Sequence, residues 1–184
     1  MNEYDLAKGE GMLEKKHIDY VIDQYMEEFG LRYKPKITYI GYHRSHGVKF
    51  YDPTQRIAQL RNDTDLEGVK LNVRPGTVID SEITNPNCFY FVSHETFMGT
   101  TKPAKYTIVC DEIGFKADNL LAIVYQLCRL MPQTKRSFRR PAPIGLAAKL
   151  LERCVTIKPD LFEKMEREQP FKIHHDIVNR PFYI

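Results

Sequence analysis

The sequence lacks any long apolar run. No stretch approaches the roughly 18 consecutive apolar residues that a membrane-spanning helix needs, so we expect no membrane span. The first residues, MNEYDLAKGEG, also lack the cationic start and the apolar stretch of a secretory signal. These absences predict an intracellular protein with no membrane partner, and they leave nucleus and cytoplasm equally open.

Cysteine is scarce, and its spacing matches no metal or redox pattern. The four cysteines lie far apart along the chain, at Cys88, Cys110, Cys128 and Cys154. Zinc and disulfide-exchange motifs place cysteines only a few residues apart. We therefore expect reduced, mostly buried thiols. The pair His174-His175 has no third ligand at a suitable spacing, so it does not indicate a metal site either.

Net charge is small, at +3, but its distribution is polarised. Residues 1–30 contain eight acids, Glu3, Asp5, Glu10, Glu14, Asp19, Asp23, Glu27 and Glu28, against Lys8, Lys15 and Lys16. Residues 129–153 contain seven bases, Arg129, Lys135, Arg136, Arg139, Arg140, Lys149 and Arg153, against Glu152 alone. A cationic face of this kind is typical of a protein that binds a polyanion, and a solvated basic face without a ligand is the alternative reading of charge alone.

What is present is an ordinary globular composition with alternating strand and helix signals. The chain has 184 residues, 42% of them hydrophobic and 28% charged, which suits one domain or part of a larger one. Apolar residues at helical spacing predict a helix over residues 12–29, a second after Asp118 that stops at Pro132, and a third that opens at Pro141.

Runs of β-branched and aromatic residues predict the strands. They occur at residues 37–42, 48–52, 89–92 and 105–110. The first two flank the polar segment HRSHG and read as a hairpin with a basic tip. Residues 53–74 read as a long loop. Together these elements predict an α/β fold in which helices pack on a mixed sheet.

Several segments, in order, carry a family resemblance. They are PKITYI followed by HRSH, then PGTVIDSEITNP, FYFVSHETFMGTTKPAKYTIVCDEIGF, LLAIVYQLCRL, KRSFRRPAPIGLAAKLLERC and HHDIVNRPFYI. Together they resemble the C-terminal part of the PIWI domain of Argonaute proteins, most closely the worm-specific branch. The resemblance implies an incomplete RNase H-like fold. It assigns residues 1–154 to that PIWI portion and residues 155–184 to a tail that packs back on it and ends at the native C-terminus, Ile184.

The resemblance also implies the remains of a catalytic site. RNase H-type cleavage uses clustered carboxylates that hold two Mg²⁺ ions. Asp80 matches the family's second aspartate and its metal ligand, and Glu10 lies where the mobile-loop glutamate would fall, just before the first predicted helix. A turn residue and a helix-start acid are the alternatives. Ala148 occupies the position of the fourth ligand, and a methyl group coordinates nothing. The resemblance therefore implies no slicing and no required cofactor, with Mg²⁺ as the only candidate ion.

The resemblance also assigns residues to RNA binding, and these are retained in the sequence. The resemblance assigns contacts with the guide-RNA backbone to Arg44, His46, Arg136, Arg139, Arg140 and Arg153, and places the Ile184 carboxylate near the 5′ phosphate. An arginine guanidinium suits phosphate because its planar fork binds two oxygens and stays charged. Surface ion pairing of Arg153 with Glu152, and a merely solvated loop at residues 136–140, are the alternatives.

Three functions are therefore in play. The first is a guide-RNA-binding PIWI segment of a non-slicing Argonaute, with guide and target RNA, silencing effector proteins and the remaining Argonaute domains as partners. The second is a protein-interaction module for silencing cofactors, in which residues 117–131 contribute a pocket. The third is a residual Mg²⁺-dependent RNase H-like endonuclease. In each case an incomplete core is expected to expose apolar surface and to aggregate or pair with a partner.

Overall fold

The computed structural model describes residues 3–53, 72–96 and 99–157. The chain divides into two compact units, Met1–Leu121 and Ala122–Ile184. The described helices are α1 (Glu3–Glu28), α2 (Ala117–Arg129) and α3 (Ala142–Ile157). The described strands are β1 (Thr38–His43), β2 (Val78–Ile79), β3 (Cys88–Phe91) and β4 (Ala104–Asp111).

The strands form one sheet in the order β1-β4-β3-β2. Every pairing among these described strands is antiparallel, whereas a mixed sheet was expected. For β2, β3 and β4 the reason is connection length, because these strands follow one another through short links, and a short link returns the chain in the opposite direction. The predicted α/β class is confirmed, with this correction to strand direction.

One face of the sheet carries a row of three aromatic rings, two of them buried and one half-buried. Tyr42 of β1, Tyr106 of β4 and Phe89 of β3 are direct cross-strand neighbours. The Phe89 and Tyr106 rings stack with centroids 5.0 Å apart, and Tyr42 meets Tyr106 edge-on at 5.5 Å. Cross-strand aromatic pairs at these distances stabilise a sheet beyond their buried area. This row fixes the register of the three strands.

The predicted hairpin of residues 37–52 is wrong in its second strand. The first strand exists as β1, but it pairs with β4, and residues 44–50 have no strand assignment. Tyr51 forms only an isolated bridge, to Asn72. Phe50 instead packs edge-on against Tyr90 of β3 at 5.6 Å, so this segment lies over the sheet rather than extending it. The remainder of the predicted loop, residues 54–71, lies outside the described residues.

Helix α1 begins about nine residues earlier than the periodicity predicts, because Gly9 and Gly11 do not interrupt it. Gly11 allows close packing: a Cβ there would lie 2.8 Å from Val109 Cγ2 and 3.3 Å from Tyr39 Cε1. Lys15 lies on the same side of the helix and bonds both Asp19 and Glu112. The helix therefore meets β4 and β1 through a glycine and an ion cluster.

Three apolar residues towards the end of α1 are exposed. Val21 is 64% exposed, Tyr25 55% and Phe29 58%. At 100° per residue, Tyr25 and Phe29 lie within about 40° of Gly11 around the helix axis. They therefore share the side of α1 that meets the sheet, but they lie more than two turns beyond Lys15 and its ion pairs.

The two later helices agree with the sequence. Helix α2 carries Asp118 in its first turn and α3 starts directly after Pro141, as predicted. The buried residues along α2 and just past it are Leu120, Val124, Cys128 and Met131, whereas Leu130 is 64% exposed. None of the helices within the described ranges is long and apolar enough to cross a membrane.

Candidate nucleic-acid interface

A row of polar side chains crosses the sheet beside the aromatic row. His43 of β1 lies opposite Lys105 of β4, and Lys105 lies opposite Tyr90 of β3. Residues directly opposite one another in a ladder point to the same face, and neighbours along a strand point to opposite faces. His43, Lys105 and Tyr90 therefore share the face opposite the aromatic row of Tyr42 and Tyr106.

A cavity of about 280 Å³ opens over this polar row. Its lining residues are His43, Ser45, His46, Gly47, Val48, Tyr90, Lys105 and Thr107. They provide an ammonium group, two imidazoles, hydroxyl groups and the backbone of a turn. None of the described lining residues carries a carboxylate, so the groups that line the cavity favour an anion.

Packing of the turn after β1 shapes the mouth of the cavity. The half-buried His46 ring meets the edge of Tyr90 at 5.2 Å, and Phe50 contacts the same ring. Arg44, one residue beyond β1, is exposed. Of the two residues predicted in this turn, His46 lines the cavity and Arg44 does not.

A second cationic segment lies in the other unit, between α2 and α3. Of its three predicted contacts, Arg136 is exposed, whereas Arg139 and Arg140 are half-buried. The segment is held at two points: the Phe138 backbone N–H donates to the Cys128 carbonyl at 2.8 Å, and the Arg136 N–H donates to Thr134 Oγ1 at 3.1 Å. Its arginines are therefore presented by an anchored backbone.

Helix α3 carries both the expected loss and an expected contact. Ala148 is half-buried, and Arg153 is exposed one and a half turns further on. At 100° per residue the two positions lie about 140° apart around the helix. The face that would present a metal ligand is therefore distinct from the face that presents the arginine.

The two remnant carboxylates do not form a metal site among the described residues. Asp80 is exposed directly after β2. Glu10 is exposed inside α1, which corrects the prediction that it precedes the first helix, and the reason is again that α1 continues through Gly9 and Gly11. No group of three or more His, Cys, Asp or Glu side chains within the described ranges is placed to hold a metal ion. These residues do not fit the Mg²⁺ pair that RNase H-type cleavage uses.

Other carboxylates at the far end of β4 are engaged by the protein's own donors. The Thr38 hydroxyl, together with backbone N–H groups, lowers the pKa of Asp111, at distances of 2.6 Å from Thr38 and 2.7 Å from the Phe115 N–H. The Lys15 ammonium lowers the pKa of Glu112 and has its own pKa raised, first by Asp19 and then by Glu112. These groups fasten α1 and the β4 turn.

A Piwi-domain family model matches residues 16–157. The chain belongs to the Piwi-domain family.

Two relatives show how much of a larger protein this Piwi-family chain represents. It is 33% identical over 117 residues to the Caenorhabditis elegans protein tag-76, covering 62% of this chain and 10% of that protein. It is also 33% identical over 134 residues to protein argonaute 4A of Oryza sativa, covering 71% of this chain and 13% of that protein. The chain thus spans a small part of the length of these relatives.

The Piwi-family assignment extends to the fold. The crystal structure of Kluyveromyces polysporus Argonaute with a guide RNA matches with a TM-score of 0.73 and 25% identity, covering 93% of this chain and 20% of that protein. This structural match, together with the family match, confirms the RNase H-like fold expected from the resemblance.

Sequence reasoning missed part of the candidate interface. His43, Tyr90, Lys105 and Thr107 line the cavity but were not predicted. The missing information was the β1-β4 pairing, which brings residues 43 and 105 together across 62 positions of sequence. Ile184 and the tail from residue 158 lie outside the described residues.

Proposed function

We propose that this chain is the guide-small-RNA-binding segment of an Argonaute protein that acts in RNA-mediated silencing without cleaving its target. The observation that supports it most is the cavity lined by His43, His46 and Lys105, on the sheet of a Piwi-family fold. The match to an Argonaute crystallised with a guide RNA adds support.

The chemistry of these groups suits the sugar-phosphate backbone. Phosphate carries the same charge at every nucleotide, so contacts to it give affinity and position without reading sequence. Lysine and arginine supply that affinity, and the anchored arginines of residues 136–140 and Arg153 extend the same chemistry in the second unit. A guide-binding protein needs this property because each guide has a different sequence.

Absence of slicing is part of the proposal. Ala148 provides no ligand at the position where the family resemblance expects one, and the described residues hold no group of three candidate ligands. Two-metal hydrolysis needs several anionic ligands to hold both ions about 4 Å apart. Membership of the worm-specific branch is a further part of the proposal, supported by the tag-76 match.

Charge reversal tests the binding role. In a titration of labelled single-stranded RNA, the Arg139→Glu, Arg153→Glu double variant is expected to bind more weakly, and its salt slope is expected to fall by about 1.4, or about 0.7 for each lost phosphate contact. Lys16→Glu is the matched control, because Lys16 is exposed on α1, away from both cationic segments in sequence. Unchanged affinity in the double variant would contradict the assignment.

A protein-interaction role is the second candidate function, and the exposed apolar side chains of α1 favour it. Val21, Tyr25 and Phe29 are each more than half exposed. A surface of this kind marks a partner site or promotes aggregation. Partner binding through it is expected to change little with salt, whereas RNA binding falls steeply. A monodisperse, cooperatively melting monomer would contradict the expectation that this surface requires a partner.

A further inference from the structure

We propose that the cavity over the sheet is a subsite for a single phosphate group and that Lys105 is the residue that binds it. This inference rests on the proposed RNA-binding function, because it assigns one contact of that function to a residue of β4. Lys105 is the only lysine or arginine among the described lining residues. Its strand lies between β1 and β3, so Lys105 stands in the middle of the polar row, between His43 and Tyr90.

The Lys105 ammonium group has no counter-ion within the described part of the chain. Lys105 is half-buried, and no ion pair or hydrogen bond joins its side chain to another described residue. Lys15 and Lys34 show the contrast, since each is held by an aspartate, at 2.6 and 2.7 Å. A charge that is partly removed from water is unfavourable unless it is paired. An anion that enters the cavity therefore supplies the partner that Lys105 lacks.

Packing of aromatic rings forms the wall of the cavity before a ligand enters. The Tyr90 ring of β3 is met edge-on by the ring of His46 at 5.2 Å and by the ring of Phe50 at 5.6 Å. These contacts hold the turn after β1 against β3. A preformed site binds its ligand without first ordering its own side chains, so less of the binding free energy is lost.

The size and the cation of the cavity suit one phosphate group. The volume of about 280 Å³ is at the lower limit of small-molecule pockets, which measure roughly 300–1,000 Å³, so the cavity does not admit a run of nucleotides. A lysine binds phosphate as a point charge with three donors and makes no demand on the ester linkage. The phosphate therefore comes either from within the RNA chain, as a diester, or from its 5′ end, as a monoester.

The first test removes the charge of Lys105. Fluorescence anisotropy measures the affinity of the full 184-residue chain for a labelled single-stranded RNA at several salt concentrations. Lys105→Gln is expected to bind about fivefold more weakly and to lower the salt slope by about 0.7, the value for one lost phosphate contact. Lys116→Gln is the matched control, because it loses the same charge at an exposed position beyond the opposite end of β4 and is expected to leave both values unchanged.

The second test places a negative charge in the cavity without altering the sheet. Ser45 lines the cavity from the turn and is exposed, so its replacement does not disturb the core. Ser45→Glu brings a carboxylate that pairs with the Lys105 ammonium and repels phosphate, and it is expected to bind RNA about fivefold more weakly than the uncharged Ser45→Gln of equal size. This pair of variants decides the question if circular dichroism shows that Lys105→Gln does not fold.

The outcomes separate the inference from the function beneath it. A loss in Lys105→Gln with both 5′-phosphorylated and 5′-hydroxyl RNA assigns the cavity to a phosphodiester, and a loss confined to the 5′-phosphorylated RNA assigns it to the terminal phosphate; either result supports the subsite. If RNA binds but folded Lys105→Gln matches Lys116→Gln, or Ser45→Glu matches Ser45→Gln, the inference is overturned and the function stands. Absence of salt-dependent RNA binding in the wild type overturns the function itself.

Discussion

A glycine pair in α1 provides a sharp test of how this helix packs on the sheet. Gly9 and Gly11 both lie inside the helix, and replacing either by alanine gains about 1 kcal/mol of helix propensity. A Cβ at Gly9 meets no atom within 4 Å, whereas one at Gly11 would lie 2.8 Å from Val109 Cγ2 and 3.2 Å from its Cγ1. Real Cβ atoms do not approach so closely, so the helix or β4 must shift.

The magnitude follows from these two terms. Gly9→Ala is expected to stabilise the chain by about 1 kcal/mol. Gly11→Ala receives the same gain but bears an overpacking cost of about 1–3 kcal/mol, so its net effect ranges from neutral to about 2 kcal/mol destabilising. The two variants therefore differ by about 1–3 kcal/mol, and each kcal/mol shifts the melting temperature of a chain of this size by about 2–4 °C.

Thermal and urea melts of the two variants measure this difference. The expected order of stability is Gly9→Ala above wild type, with Gly11→Ala at or below it. Equal stabilisation by both substitutions would refute the close contact between Gly11 and Val109.

Three further predictions concern single groups. The hydrogen bond with Glu14, together with burial, raises the pKa of Tyr39 to about 12. The stability that this hydrogen bond contributes is therefore present below the ordinary tyrosine pKa and is lost as the pH rises towards 12. NMR titration of Cζ-labelled tyrosine should show that Tyr39 ionises at a lower pH in Glu14→Gln than in the wild type. The Thr38 hydroxyl and backbone N–H groups lower the pKa of Asp111. The stability that the Asp111 carboxylate contributes is therefore present above about pH 4 and is lost as the pH falls below that value. The melting temperature of the wild type should exceed that of Asp111→Asn by less at acidic pH than at neutral pH. Ala148→His is expected to yield no Mg²⁺-dependent cleavage of a guide-paired target on a denaturing gel, because the described residues lack the other ligands, and a single guide-directed cut would contradict this.

The sequence predicted correctly those helix starts and strands that depend on residues close together in the chain. Asp118 and Pro141 mark the starts of α2 and α3, and the aromatic run at residues 89–92 matches β3 closely. Each is decided by neighbours in sequence, through capping, proline geometry or strand propensity. The RNase H-like fold class was predicted from several segments that resemble the PIWI domain and occur in the same order along the chain.

Long-range contacts decided the features that sequence reasoning missed. The polar segment after β1 indicated a hairpin, yet β1 pairs with β4, and His46 of the predicted turn lines a cavity together with Lys105. The exposure of Val21, Tyr25 and Phe29 has the same origin, since periodicity reveals the apolar side of a helix but not how much of its length the sheet covers. The remnant role of Asp80 and Glu10, and the contacts expected of the arginines, stay predictions.

The most direct test of the central claim is the salt dependence of RNA affinity. The dissociation constant of a 5′-phosphorylated single-stranded RNA of about 20 nucleotides is measured between about 50 and 200 mM salt, with a scrambled RNA of equal length beside it. The account predicts a steep linear loss of log affinity with log salt, the same for both sequences. A salt-independent affinity, or one confined to a single sequence, would contradict binding through the backbone.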